Sequence, residues 1–73
     1  MKKLPVAQHL TDQEYQILLT VYANHNRSMG LKEREKYTLS RIVKVERNPK
    51  QNCLNVHYDN GEWFHYCPEG TWY

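Results

Sequence analysis

The residue types that could carry chemistry in this chain are Cys53, His57, His65 and Cys67, spaced Cys53-x3-His57-x7-His65-x-Cys67. Thiols and imidazoles in one segment suggest a zinc site, a disulfide, or a cysteine nucleophile served by a histidine. Geometry decides among them. In an extended segment, residues four apart lie about 13 Å from each other, whereas zinc–ligand bonds are only about 2.0–2.3 Å. Cys53 and His57 therefore cannot share one ion. At most Cys53, Cys67 and His65 could converge, and a structural zinc takes four ligands, so no metal site is expected. A His65–Cys67 nucleophile pair is also disfavoured. Two residues along a strand separate ring and thiol by about 6–7 Å, and no third group is placed to orient the ring. Position allows a cross-strand disulfide, but a cytosolic thiol pool would keep it reduced. The expectation is two half-buried thiols packed as small apolar side chains.

Wider motifs are missing. No phosphate loop, nucleophile elbow, paired zinc-finger spacing or dinucleotide fingerprint occurs in the 73 residues. A chain of this length buries only about 60–65% of its unfolded surface, and a catalytic pocket would consume much of that core. Neither enzyme activity nor a cofactor is expected.

The elements that position these residues follow from periodicity. Residues 1–9 show none and read as a loose arm. Leu10-Thr11-Asp12-Gln13-Glu14-Tyr15 then combines three helix-start signals. Thr11 and Glu14 have the spacing of a capping box, and Leu10 and Tyr15 that of a hydrophobic staple. Asp12 and Glu14 suit the positive end of the dipole. A helix is predicted over 10–27. Tyr15, Leu18, Leu19 and Tyr22 form its core stripe, with Ile17 and Val21 beside it. The helix should fray through Asn24, His25 and Asn26, with Gly30 as a stop. His9 and His25 read as ordinary solvated residues, and Lys32-Glu33-Arg34-Glu35-Lys36 as a solvated loop.

From Tyr37 the period becomes two, predicting a sheet over 37–68 and a tail over 69–73 that folds back onto the domain. Asn48-Pro49-Lys50-Gln51 reads as a turn with proline at its second position, and Asp59-Asn60-Gly61 as a hairpin loop. The fold class is α+β: one N-terminal helix packed on a three-stranded antiparallel β-meander, forming a single small domain.

The hairpin register fixes the faces, because a one-residue slip exchanges every side chain between them. A two-residue Asn60-Gly61 turn would oppose Asp59 with Glu62 and split the apolar residues between faces. A three-residue loop with Gly61 left-handed pairs Tyr58 with Glu62, and collects Leu54, Val56, Tyr58, Phe64 and Tyr66 on one face. That register is preferred. Its opposite face carries Cys53, Asn55, His57, Trp63, His65 and Cys67, joined by Ile42, Lys44 and Glu46 from the first strand. Val43 and Val45 then face the core.

An outward Trp63 flanked by Lys44, His57 and His65 makes these four the candidate binding residues. The competing reading is a Trp63 covered by the Trp72-Tyr73 tail. Ten Lys plus Arg against eight Asp plus Glu leave a charge of +2 and a pI near 8.6. That is a smaller excess than dedicated nucleic-acid binders carry. The expected function is a non-enzymatic protein-interaction or regulatory module using the outer sheet face or the helix. Its partner is a protein, a second copy of this chain among the candidates. The alternative is a single-stranded nucleic-acid binder stacking a base on Trp63, with Lys44, Lys50, Arg41 or Arg47 near phosphate. A surface made pH-responsive by His57 and His65 is a further, weaker thought. No stretch approaches the roughly 20 apolar residues of a membrane span. Met1-Lys2-Lys3-Leu4 resembles the start of a secretory leader, but polar residues follow where its apolar run belongs. A cytoplasmic location is expected.

Overall fold

A computed structural model describes residues 3–73. Helix α1 (Asp12–Arg27) is followed by a one-turn helix α2 (Leu31–Arg34) and strands β1 (Ile42–Asn48), β2 (Cys53–Tyr58) and β3 (Trp63–Tyr66). The strands form an antiparallel sheet in the order β1-β2-β3. The fold is the α+β arrangement of a helix on a meander.

The start of α1 is built as its sequence dictates. The Glu14 amide donates to Thr11 Oγ1 at 3.1 Å, and the Thr11 amide donates to Glu14 Oε1 at 2.8 Å. Two orphan donors of the first turn are thereby satisfied. Leu10 and Tyr15 are both buried, as a staple requires. Tyr15, Leu18, Val21 and His25 form the buried line of the helix, and Ile17, Leu19 and Tyr22 pack along its margins.

Four expectations about the flanking segments need correction. Residues 1 and 2 of the expected loose arm lie outside the described residues, but the rest of the arm is docked. Pro5–Ala7 form a turn of 3-10 helix, Ala7 is fully buried, and Leu4 and Val6 pack on the core. The Leu4 amide donates to the Tyr15 hydroxyl at 3.2 Å. An apolar tripeptide this short has no period to detect, yet burial holds it in place.

The charged stretch predicted as a loop contains α2 and a 3-10 turn over Glu35–Tyr37. Arg34 explains why. Its Nε donates to the carbonyls of Asn26 (3.0 Å) and Met29 (3.1 Å), and its Nη2 to that of Arg27 (3.3 Å). A cation thus answers the orphan carbonyls and negative dipole at the end of α1. Gly30 begins α2 in an extended conformation instead of terminating α1. The sheet starts at Ile42, because Leu39–Arg41 form another 3-10 turn where an extended segment was expected.

The preferred hairpin register is the one observed. Leu54 pairs with Tyr66, Val56 with Phe64, and His57 with Trp63. The Tyr58 amide donates to the Glu62 carbonyl at 2.9 Å, and the Gly61 amide to the Tyr58 carbonyl at 3.2 Å. Gly61 sits at φ +88°, a conformation that glycine adopts without the steric cost of a side chain. In β1, however, the ladder slips between Ile42 and Lys44: Ile42 pairs with Tyr58, and Lys44 with His57. Val43 is the extra residue of this bulge. Ile42 is therefore buried, not on the outer face, and Val43 is exposed, not in the core. Strict alternation cannot reveal such a change of phase.

Candidate interaction face

The outer face of the sheet brings the four candidate residues together. Lys44 comes from β1, His57 from β2, and Trp63 and His65 from β3, each placed by the register just described. The His57 and Trp63 rings stack with planes 15° apart and centroids 5.5 Å apart. His65 lies 4.9 Å from Trp63 along the strand. Beyond it, Tyr73 stacks on His65 at 4.4 Å and 10°. The four rings make a continuous zigzag across the sheet.

Tyr73 is the residue of this row that sequence reasoning left out. The tail pairs with β3: the His65 amide donates to the Tyr73 carbonyl at 2.8 Å, and the Tyr73 amide returns a bond to the His65 carbonyl at 3.1 Å. Trp72 bridges Tyr66 on the same edge. Extended pairing alternates the side chains, so Trp72 turns inward onto His25 (5.2 Å) while Tyr73 turns outward. The tail folds back, but it does not cover Trp63, which remains 47% exposed beside a Tyr73 at 60%. Gly70 and the alternation Thr71-Trp72-Tyr73 were the available signal.

At the β1 end of the row, charges replace rings. His57 Nε2 lies 3.0 Å from Glu46 Oε1, and Lys44 Nζ lies 3.5 Å from Glu46 Oε2. The hydrogen bond from His57, then the Lys44 charge, hold the Glu46 carboxyl below the usual carboxylate range. The outer face thus grades from an ion-paired margin to an aromatic centre.

Two pairings overturn expectations about the cysteines and His25. Cys53 and Cys67 are joined as a disulfide, with their Cα atoms 4.4 Å apart. They were expected to be separate thiols. In this register they stand directly opposite each other at a pair without ladder hydrogen bonds, where antiparallel Cα atoms approach to about 4.5 Å. That spacing brings the sulfurs within bonding reach.

His25, expected in solvent, is buried at 6% exposure. Its Nδ1 lies 2.8 Å from the Tyr66 hydroxyl, which lies 2.5 Å from the Tyr58 hydroxyl. The chain is satisfied when Tyr58 donates to Tyr66 and Tyr66 donates to a neutral imidazole. Burial holds the His25 pKa below its ordinary value and pushes the Tyr58 phenol up to about 12. Burial and the bond with Tyr58 raise Tyr66 as well. His25 continues the line of Tyr15, Leu18 and Val21 by one further turn, which was its readable clue.

Of the cations proposed for phosphate contact, Arg41, Lys44 and Arg47 are engaged within the chain, whereas Lys50 is exposed on the β1–β2 turn. Arg41 pairs with Asp59 at 3.2 Å and Lys44 with Glu46. Arg47 grips Glu14 with Nε at 2.6 Å and Nη2 at 2.8 Å, and also donates to the His9 carbonyl. It thereby ties the sheet to the start of α1. Among the described residues, no group of three His, Cys, Asp or Glu is placed to hold a metal ion, and no helix is long and apolar enough to cross a membrane. Comparison of the chain with protein-family models, curated proteins and solved structures gives no match.

Proposed function

We propose that this chain is a non-enzymatic protein-interaction or regulatory module that takes a protein partner on its outer sheet face. The observation that carries the reading is the exposed ring row, with Trp63 at its centre and His57, His65 and Tyr73 around it. Large rings with few rotatable bonds contribute much contact area at low entropic cost, and the Lys44–Glu46 pair supplies a polar rim. The chemistry that fits is an apolar or aromatic protein surface with an arginine or tyrosine anchor for Trp63. Single-stranded nucleic acid is the less favoured partner. Arg41, Lys44 and Arg47 would each have to leave a carboxylate before meeting phosphate.

A cytoplasmic setting is part of the proposal. There the Cys53–Cys67 pair meets a reducing thiol pool.

The test compares wild type with Trp63→Ala and with Val43→Ala, a control exposed at the β1 bulge and not one of the four rings. Partners are recovered by cross-linking and identified, with titration of single-stranded RNA followed in the amide NMR spectrum. A protein recovered by wild type and Val43→Ala but lost by Trp63→Ala is the expected result. Recovery indifferent to Trp63, or RNA-induced shifts at Trp63 and His65 that salt reverses, would overturn the reading.

A further inference from the structure

We propose that the Cys53–Cys67 disulfide is an exchange site for small thiols, attacked at Cys53 through the cleft between α1 and the β1–β2 turn. The cleft has a volume near 270 Å³. Ile17, Pro49 and Pro68 give it apolar walls, the Glu14–Arg47 pair its charged part, and Cys53 itself belongs to the lining. Cys67 does not, and it is the less exposed sulfur-bearing residue, at 3% against 8%. In thiol–disulfide exchange, access is one of the factors that set which sulfur is attacked, beside the acidity of the leaving thiol. Here the open approach leads to Cys53.

The chemistry balances without any other oxidant or reductant. A small thiolate forms a bond to Cys53 Sγ while the Sγ–Sγ bond breaks. Cys67 leaves with the electron pair as a thiolate and takes a proton from water. A second thiolate then attacks the outer sulfur of the mixed disulfide and releases Cys53. In sum, two small thiols become one small disulfide, and the protein gains two electrons and two protons.

The freed Cys53 has a place to settle. Its Sγ lies 3.1 Å from the Gln51 carbonyl. A disulfide sulfur has no proton to donate there, whereas the reduced thiol donates directly. The reduced state is thus provided with a hydrogen bond that the oxidised state cannot use.

Size selects the reagent. Pockets for drug-sized ligands span about 300–1,000 Å³, so this cleft admits a thiol the size of free cysteine. The thiol of a folded protein would first have to displace α1 or the turn.

The experiment incubates oxidised, folded protein with free cysteine at mildly alkaline pH. Samples are quenched in acid at early times and digested with pepsin, and the cysteinyl adducts are located by mass spectrometry. The expected adduct sits on Cys53 in about tenfold excess over Cys67, and forms at a rate proportional to cysteine concentration. Ile17→Trp, which fills the cleft, lowers that rate by about tenfold. Equal labelling, preference for Cys67, or a rate that ignores cysteine concentration would overturn the proposal, the last because exchange would then await unfolding. Should Ile17→Trp fail to fold, the wild-type adduct ratio and concentration dependence decide alone.

Discussion

Trp63 and His57 face each other across the β2–β3 ladder with nearly parallel rings, 15° apart. This pair, with His65 on the strand beside it, holds Trp63 on the outer face, where about half of its surface stays exposed. Aromatic pairs contribute about 0.5–1.5 kcal/mol beyond their area. Trp63→Ala is therefore expected to lower unfolding stability by about 1 kcal/mol while abolishing partner recovery. A denaturant titration separates the two effects. A loss of several kcal/mol would mean that Trp63 serves the core.

Leu18 is fully buried against the sheet, and Val43 is 53% exposed at the bulge. Leu18→Ala should cost about 2–5 kcal/mol, counting the cavity it leaves, whereas Val43→Ala should stay within about 0.5 kcal/mol. Denaturant midpoints check both. Equal effects would contradict the change of phase in β1.

Glu14 serves two structures at once, the cap of α1 and the grip of Arg47. The Arg47 hydrogen bond first, and the Thr11 amide next, hold its pKa at about 2. A depressed carboxylate stabilises the fold above its unfolded pKa, and that contribution is lost as pH falls through the folded value. Stability should therefore decline between about pH 4.5 and about pH 2. In Glu14→Gln this decline should be shallower. Thr11→Ala, which removes the cap hydroxyl, should cost about 1 kcal/mol at neutral pH. Thermal melts across the acid range provide the readout.

His25 gives a second acid limb with a different origin. Burial lowers its folded pKa below the ordinary value of 6.5. The unfolded state then binds the proton more readily, so stability is full above about pH 6.5 and falls as the solution is acidified. The His25 imidazole carbon resonance should titrate with a midpoint below 6.5. A midpoint at or above that value would place the ring in water, and not beside Tyr66.

How much of this was legible in the sequence varied with the reach of the signal. The cap of α1 and the Asp59-Asn60-Gly61 loop are local: a few neighbouring residues specify each, and both formed as read. The register followed from sorting apolar residues between two faces, and it placed Lys44, His57, Trp63 and His65 on one side. What escaped were features set by distant partners. Arg34 organises α2 through carbonyls five to eight residues away. His25 is drawn inward by Tyr66, forty-one residues along the chain. The bulge at Val43 leaves composition unchanged and shifts only the phase.

That bulge also bears on how molecules of this kind meet one another. β1 is an outer strand of the sheet, and an outer strand is a template on which another chain can add. An irregular step beside Lys44, near the Arg47 ion pair with Glu14, makes that template a poor one. Growth of the sheet by strand addition is thus discouraged on this side, and at the opposite border the tail residues Thr71 to Tyr73 already occupy the hydrogen-bonding edge of β3.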